Sequence, residues 1–258
     1  NSNDIMASAV ATAYGEIGVI GNVIVHASYR ARGLGRAVME AELEWLSARG
    51  VRSVELDATV DGRPLYQKLG FVERSPSWML VETVGKVLAP GPHSPVADDV
   101  VTELTAADLK AVGQLDRQAF GGDRLPLLAA MQAQHGTRGW SMRDTGGAIA
   151  GYLFTRPTER QPVGVRVGPW VARTPEVALA LLRYAVAATA QQAASVAAAP
   201  VLASVPGASG QVTATFARAG MPLVPDDVRM RLTLSADEAG ASGMGEDWVF
   251  GMLAPMVG

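Results

Sequence analysis

The sequence predicts an α/β (α+β) chain of two domains built on one plan, and three observations predict it. Strand-like alternation and helical periodicity interleave along the whole chain. A short apolar strand runs through a Gly/Arg-rich turn straight into a long amphipathic segment at residues 22–36. The order strand, strand, long helix, strand, short helix, strand then occurs twice. With 258 residues, 48% hydrophobic and 18% charged, the chain is a soluble globular one, long enough for two domains.

Composition removes several function classes. A formal charge of −3 and a pI near 5.7 argue against a nucleic-acid surface, so no nucleic-acid partner is expected. No apolar run approaches a membrane span and no signal-peptide layout opens the chain. Zero cysteines exclude a disulfide framework and a thiol nucleophile, and fit a cytoplasmic protein. His26, His93 and His135 are too scattered for a metal site.

The elements follow in order. Residues 6–14, small and closed by Gly15, read as a strand, with 19–25 as its antiparallel partner across a turn holding Glu16 and Gly18. In the helix that follows, Leu34, Val38, Ala41 and Trp45 form one apolar stripe, while Glu40, Glu42 and Glu44 fall mostly on a solvated face. Gly50 stops that helix. In the strand 51–59, Val54, Leu56 and Ala58 alternate with Ser53, Glu55, Asp57 and Thr59. Residues 63–69 are a short helix with Pro64 in its first turn, and 71–82 return as a strand or hairpin.

The Pro/Gly-rich stretch 86–95 is the best linker, which gives a first domain over 1–86, a linker over 87–98 and a second domain over 99–258. In the second, 100–104 is a strand and Thr105 caps a helix running to Phe120. A helix at 125–134, strands at 139–143, 148–156 and 163–171, and an Ala-rich helix at 175–193 come next. A strand at 201–205, a helix at 211–219 and strands near 228–234 and 248–253 close the chain.

The turn at Arg30-x-x-Gly33-x-Gly35 carries the chemistry. Its glycines let backbone approach a ligand, and they leave amide N–H groups free where a helix dipole favours negative charge. Arg30, Arg32 and Arg36 add donors and fixed positive charge. A strand, Gly-rich turn and helix of this build make a pyrophosphate cradle. The spacing is not that of the dinucleotide fingerprint, and no Gly-Lys-Ser/Thr closes a Walker loop. One helix and one strand later stands Leu65-Tyr66-Gln67-Lys68-Leu69-Gly70-Phe71.

Together these residues resemble the GNAT superfamily of acyl-CoA-dependent N-acetyltransferases. The resemblance implies two GNAT-like domains, each a mixed, mostly antiparallel central sheet flanked by helices. It implies acetyl-CoA as cosubstrate, with Val23, Ile24 and Val25 pairing with the pantetheine arm. The pyrophosphate falls to Arg30, Ala31, Arg32, Gly33, Leu34, Gly35 and Arg36, and Tyr66 is the general acid.

In the internal repeat, Thr215-Phe216-Ala217-Arg218-Ala219-Gly220-Met221 lies over residues 65–71, so Phe216 keeps the ring of Tyr66 and drops its hydroxyl. At the cradle position the second half has Thr174, which would cap its own helix, Pro175, which lacks a donor, and Glu176, which repels phosphate. A pyrophosphate should be excluded there. Gly168-Pro169, Arg229-Met230 and Gly258 are similar to short motifs of the C-terminal domain in tandem members.

The first domain starts only six residues before its strand pair, whereas the second carries about 48 residues (100–147) before the equivalent pair. It therefore lacks a strand-helix-helix-strand portion. The alternatives are a truncated N-terminus, a segment missing from the sequence, or completion of the sheet by a second chain in a homodimer.

Acyl transfer to an amine needs the thioester held, its carbonyl polarised, the amine deprotonated and the thiolate protonated. Tyr66, with an ordinary pKa near 10, arrives protonated at neutral pH. Glu16, Glu55 and Asp57 are candidates for the base, each with surface solvation as the preferred role, and His26 reads as a turn residue. Two functions stay open. One is direct transfer from acetyl-CoA to a primary amine of a small molecule or protein, an EC 2.3.1 activity. The other is a non-catalytic acyl-CoA-binding or sensing protein.

Overall fold

The computed structural model describes residues 5–89, 101–158, 164–190, 197–206, 210–235 and 249–251. The chain divides into two compact units. Among the described residues, unit 1 takes 5–75 and 227–235, and unit 2 takes those between 76 and 226 together with 249–251.

In unit 1, β1 (Ala7–Tyr14) and β2 (Ile17–Val25) form an antiparallel pair. A 3-10 turn (Ala27–Tyr29) leads to α1 (Leu34–Ser47), then β3 (Ser53–Ala58) and α2 (Arg63–Lys68). The sheet order is β1-β2-β3-β10, where β10 (Val224–Thr233) comes from the far end of the sequence. β2 and β3 are parallel and β3 and β10 antiparallel. The core sits between α1, α2 and one sheet face, around Ile20, Met39, Leu46, Leu56, Phe71 and Met230.

β4 (Val72–Thr83), which enters unit 2 at Pro76, leads to α3 (Val84–Leu88) and, beyond the undescribed residues, β5 (Val101–Glu103). Then come α4 (Leu109–Phe120), α5 (Leu125–Ala133), β6 (Arg138–Arg143), β7 (Ile149–Pro157) and β8 (Val165–Ala172). The remainder is α6 (Pro175–Ala190), β9 (Pro200–Pro206), α7 (Gly210–Arg218) and β11 (Val249–Gly251). The sheet order is β4-β9-β8-β7-β6-β5, with one parallel pair, β8 and β9. Trp170, Phe154, Leu153 and Phe216 are fully buried in this unit, with Trp170 meeting Phe216 edge-on at 5.8 Å.

Within each unit the strand pairing is mixed and mostly antiparallel, but the strands are not drawn from one half each. β4 leaves the first half to pair with β9, in register from Ser77↔Pro206 to Thr83↔Pro200. β10 leaves the second half to pair with β3, from Val228↔Ala58 to Thr233↔Ser53. The division expected at a linker over 87–98 therefore gives way to an exchange of strands. Residues 84–88 are already helical, and 90–98 lie outside the described residues.

Three further expectations change. The apolar stripe of α1 is rotated: Met39 and Leu46 are fully buried, whereas Ala41 is exposed and Trp45 is 39% exposed under the guanidinium of Arg49, 3.7 Å from its ring centre. Both stripes satisfy helical spacing, and the choice is made by which face meets the sheet. At α4, Thr105 is the donor rather than the cap: its N–H and hydroxyl both go to Asp108 Oδ2, at 2.9 and 2.7 Å. Finally, the polar side of β3 is buried, with Glu55 at 2% exposure.

The repeat is visible in the backbone. Phe71 N–H donates to Tyr66 O at 3.0 Å, and Met221 N–H to Phe216 O at 2.9 Å. Among the described residues no helix is long and apolar enough to cross a membrane, and no group of three or more His, Asp or Glu could hold a metal ion.

Candidate active site

β2 is irregular where the site begins. Its pairing steps from Val10↔Gly21 to Ser8↔Ile24, an extra residue on β2, and Asn22 takes φ 51°. Such a bulge turns the backbone of the following residues. β2 and β3 run parallel only over Ile17–Val19 and Ser53–Glu55, so Val23, Ile24 and Val25 lie where the two strands have parted. The Val25 carbonyl accepts Arg30 Nε at 3.3 Å, which folds that side chain back onto the strand end.

The turn is fixed locally. His26 Nδ1 accepts the N–H of Ser28 at 3.3 Å, so this histidine is a turn cap, as its position in the sequence implies. Arg32 lies over the Tyr29 ring at 5.4 Å. Ala31 has φ 60° and Gly33 φ 80°, two left-handed residues that turn the chain into α1. A Cβ at Gly33 would meet nothing within 4 Å, so glycine there serves the backbone angle. A Cβ at Gly35 would sit 3.3 Å from Leu65 and 3.5 Å from Val25, so glycine there serves close approach.

α1 begins at Leu34 with no side-chain cap and no acidic residue in its first turn. The first N–H groups of a helix have no partner within it, so those of Leu34, Gly35 and Arg36 face outward at a positive dipole end. Arg36 reaches Lys68 O at 3.4 Å and Glu40 at 3.5 Å, which ties the start of α1 to the end of α2. The structure thus brings Arg30, Ala31, Arg32, Gly33, Leu34, Gly35 and Arg36 into one exposed turn. That arrangement fits a diphosphate.

Tyr66 stands on α2, beside Leu65, which packs on that same helix start. It is 8% exposed, edge-on to Phe71 at 6.0 Å, and its hydroxyl has no hydrogen-bond partner among the described residues. Burial, and secondly the carboxylate of Asp227, push its pKa up, so it holds its proton at neutral pH.

Of the carboxylates named from the sequence, Glu16 is exposed, as expected, but Glu55 and Asp57 are not solvated groups. Glu55 takes Arg229 Nη1 at 3.1 Å and Arg231 Nε at 3.0 Å, and Asp57 takes Arg229 Nε at 3.1 Å and Nη2 at 2.7 Å. These ion pairs occupy the oxygens of both side chains. Glu16 pairs with Arg52 at 3.5 Å at the opening of β2, the end of that nine-residue strand remote from the cradle. Sequence reasoning missed Asp227, Arg229 and Arg231 as neighbours of β3, since nothing local announces a partner 172 residues away.

Unit 2 repeats the scaffold without the cradle. Thr174 Oγ1 caps α6 by accepting Val177 N–H at 3.3 Å, and Glu176 stands in the first turn. Where β8 leaves β9 after Val167, β11 pairs with Val171 and Trp170.

Comparison with known proteins agrees with this geometry. Residues 2–73 match a family model described as an acetyltransferase (GNAT) domain, and residues 112–238 match a second model of the same description. The chain is 30% identical over 186 residues to an uncharacterized N-acetyltransferase of Bacillus subtilis (strain 168), YitH, covering 70% of this chain and 60% of that protein. It therefore spans less than two thirds of that relative. Among solved structures, a candidate acetyltransferase from Pyrococcus horikoshii superposes with TM-score 0.70 at 24% identity, over 96% of this chain and 75% of the other. A tandem GNAT protein from the clavulanic acid biosynthesis pathway superposes with TM-score 0.55 at 17% identity, over 85% and 75%. These two likenesses concern the fold. The chain belongs to the GNAT acetyltransferase family and carries two such domains in tandem.

Proposed function

We propose that the chain moves an acetyl group from acetyl-CoA to a primary amine of a small molecule or protein by direct transfer, with unit 1 as the working domain. The observation that carries this reading is the uncapped start of α1, ringed by Arg30, Arg32 and Arg36 and packed against the helix of Tyr66. Backbone N–H groups of Gly33 to Arg36 hold the diphosphate. Val23–Val25, where β2 has left β3, offer backbone groups to the pantetheine amides and an N–H to the thioester carbonyl. Tyr66, buried and protonated, gives its proton to the departing sulfur.

In unit 2, the capping of α6 by Thr174 and the position of β11 against β8 support a second GNAT fold without cosubstrate. The occupation of Glu55 and Asp57 by arginine favours the second reading, an acyl-CoA sensor, because it removes two candidate bases. Thiol release from acetyl-CoA against a panel of primary amines tests the proposal. Amine-dependent release supports transfer, and tight binding with no release for any amine supports the sensor.

A further inference from the structure

β2 changes parity once along its length. In its first part Gly18 and Ile20 face the helices: a Cβ at Gly18 would sit 2.9 Å from Leu46, and Ile20 is buried in the core beneath α1. Unbroken alternation would keep the even-numbered residues inward. Beyond Asn22 the odd ones point there. Val23 packs on that core, Val25 Cγ2 lies 3.5 Å from where a Cβ at Gly35 would sit, and Ile24 is 52% exposed. Such a flip needs one inserted residue, because side chains alternate with a period of two. It enters at Asn22, which has φ 51°: there the pairing advances from Gly21 to Ile24 on β2 but only from Val10 to Ser8 on β1.

The inserted step also re-aims the backbone. His26 N–H donates to Met6 O at 2.9 Å, toward β1, so the groups of its neighbour Val25 turn to the other edge. That edge is the one β3 pairs as far as Val19↔Glu55 and then leaves. Unit 2 shows what such an edge accepts. β8 makes the same step, from Val167 to Trp170 against Thr155 to Leu153 on β7, at Gly168 with φ 138°. Its freed edge takes an extended chain, β11, at Val171 and Trp170. In unit 1 the step falls on asparagine, one of the few types besides glycine that tolerate a left-handed backbone. The Asn22 carboxamide makes no hydrogen bond among the described residues, so its part is played by the backbone.

We propose that Asn22 is a positioning residue for the cosubstrate: its left-handed backbone supplies the step that turns the Val23–Val25 edge to the pantetheine arm. The proposal rests on the acetyltransferase reading above. It separates two parts of one ligand. The diphosphate meets the first turn of α1, which Ala31 and Gly33 set with their own positive φ. The pantetheine and thioester meet β2 beyond Asn22. A β-branched residue resists positive φ. With one at this position β2 runs straight on, Ile24 turns inward, and the thioester carbonyl loses the N–H aimed at it.

The test is the series Asn22→Gly, Asn22→Ala and Asn22→Val, with ADP and acetyl-CoA as calorimetric probes. Valine should weaken acetyl-CoA but not ADP, and lower kcat/KM for acetyl-CoA by about a hundredfold, the range for loss of one oxyanion donor. Alanine should fall between valine and wild type. Glycine, which keeps the backbone and lacks the carboxamide, should rescue acetyl-CoA affinity. Lost affinity in Asn22→Gly assigns the effect to the carboxamide and overturns the proposal. Wild-type acetyl-CoA affinity in Asn22→Val overturns it as well. So does equal loss of both probes in Asn22→Ala and Asn22→Val, which marks a residue needed only for folding. A wild type that does not bind acetyl-CoA overturns the functional reading itself, and calorimetry of the unmutated chain identifies that case.

Discussion

Arg229 grips Asp57 with two nitrogens, Nε at 3.1 Å and Nη2 at 2.7 Å, across 172 residues of sequence. The same guanidinium reaches Glu55, and Arg231 reaches Glu55 from the next position on that face. The pairs are almost wholly buried on the arginine side of β10 and on Glu55. Truncating one member leaves charges without partners in a low-dielectric site. Arg229→Ala should therefore lower unfolding free energy by about 3–5 kcal/mol, read from urea denaturation. A loss below 1 kcal/mol, the range of surface pairs, would show that the cluster is solvated.

The first turn of α1 makes separable predictions at its two glycines. Gly33→Ala meets no steric obstacle but forces a Cβ into a left-handed backbone, at a cost of about 1–2 kcal/mol. Gly35→Val introduces atoms against Leu65 and Val25, at a cost of about 1–3 kcal/mol of overpacking. Both should weaken acetyl-CoA binding in calorimetry. In thermal melts, only Gly35→Val should be rescued by Leu65→Ala, which empties the space.

Tyr66→Phe should reduce kcat by about a hundredfold or more while leaving stability at neutral pH nearly unchanged, since the hydroxyl has no hydrogen bond to lose among the described residues. Its folded pKa is raised above the usual value near 10. The proton-donor form therefore persists to higher pH, and the alkaline limb of the kcat profile should lie above pH 10. The linked stability has a definite sign. It is intact below pH 10 and declines as pH rises through the folded pKa, because the unfolded chain ionises first. Tyr66→Phe should lack that alkaline decline in denaturation curves taken from pH 8 upward.

Unit 2 carries its own buried ion pair. Asp116 on α4 takes Arg124 Nε at 3.0 Å and the Tyr152 hydroxyl of β7, with all three residues almost completely buried. Asp116→Ala should cost about 3–5 kcal/mol. Tyr152→Phe, which removes the hydroxyl's hydrogen bond to Asp116 and the longer one it accepts from Arg124 Nη2 at 3.4 Å, should cost about 1.5–3 kcal/mol. Chemical denaturation of each single variant and of the pair gives the coupling directly.

Titration of the whole chain with acetyl-CoA should give one site. In the second half the helix start is closed by Thr174 and faced by Glu176. A stoichiometry of two would refute the assignment of the cosubstrate to unit 1 alone.

Much of this was legible because it is local. The β2–turn–α1 backbone, Tyr66 on its short helix and the matching Phe216 all follow from neighbouring residues: φ preferences, caps and periodicity. The stripe of α1 was misread by a rotation because Trp45 and Met39 belong to two equally regular series, and only the packed sheet chooses between them. Glu55 and Asp57 look solvated in a period-two pattern. Their burial depends on Arg229 and Arg231, and register between strands that far apart is set by complementary side chains that no window of sequence contains. Asp227 escaped notice for the same reason.

The crossing-over of β4 and β10 also determines how the chain can be divided. A gene cut at residue 90 would give two polypeptides, each with a vacant rung in its ladder and each carrying the rung the other needs. Alone, both should be prone to stick through raw backbone edges. Produced together, they should find each other and reassemble, so that the duplicated lobes behave as mutual chaperones rather than as interchangeable modules.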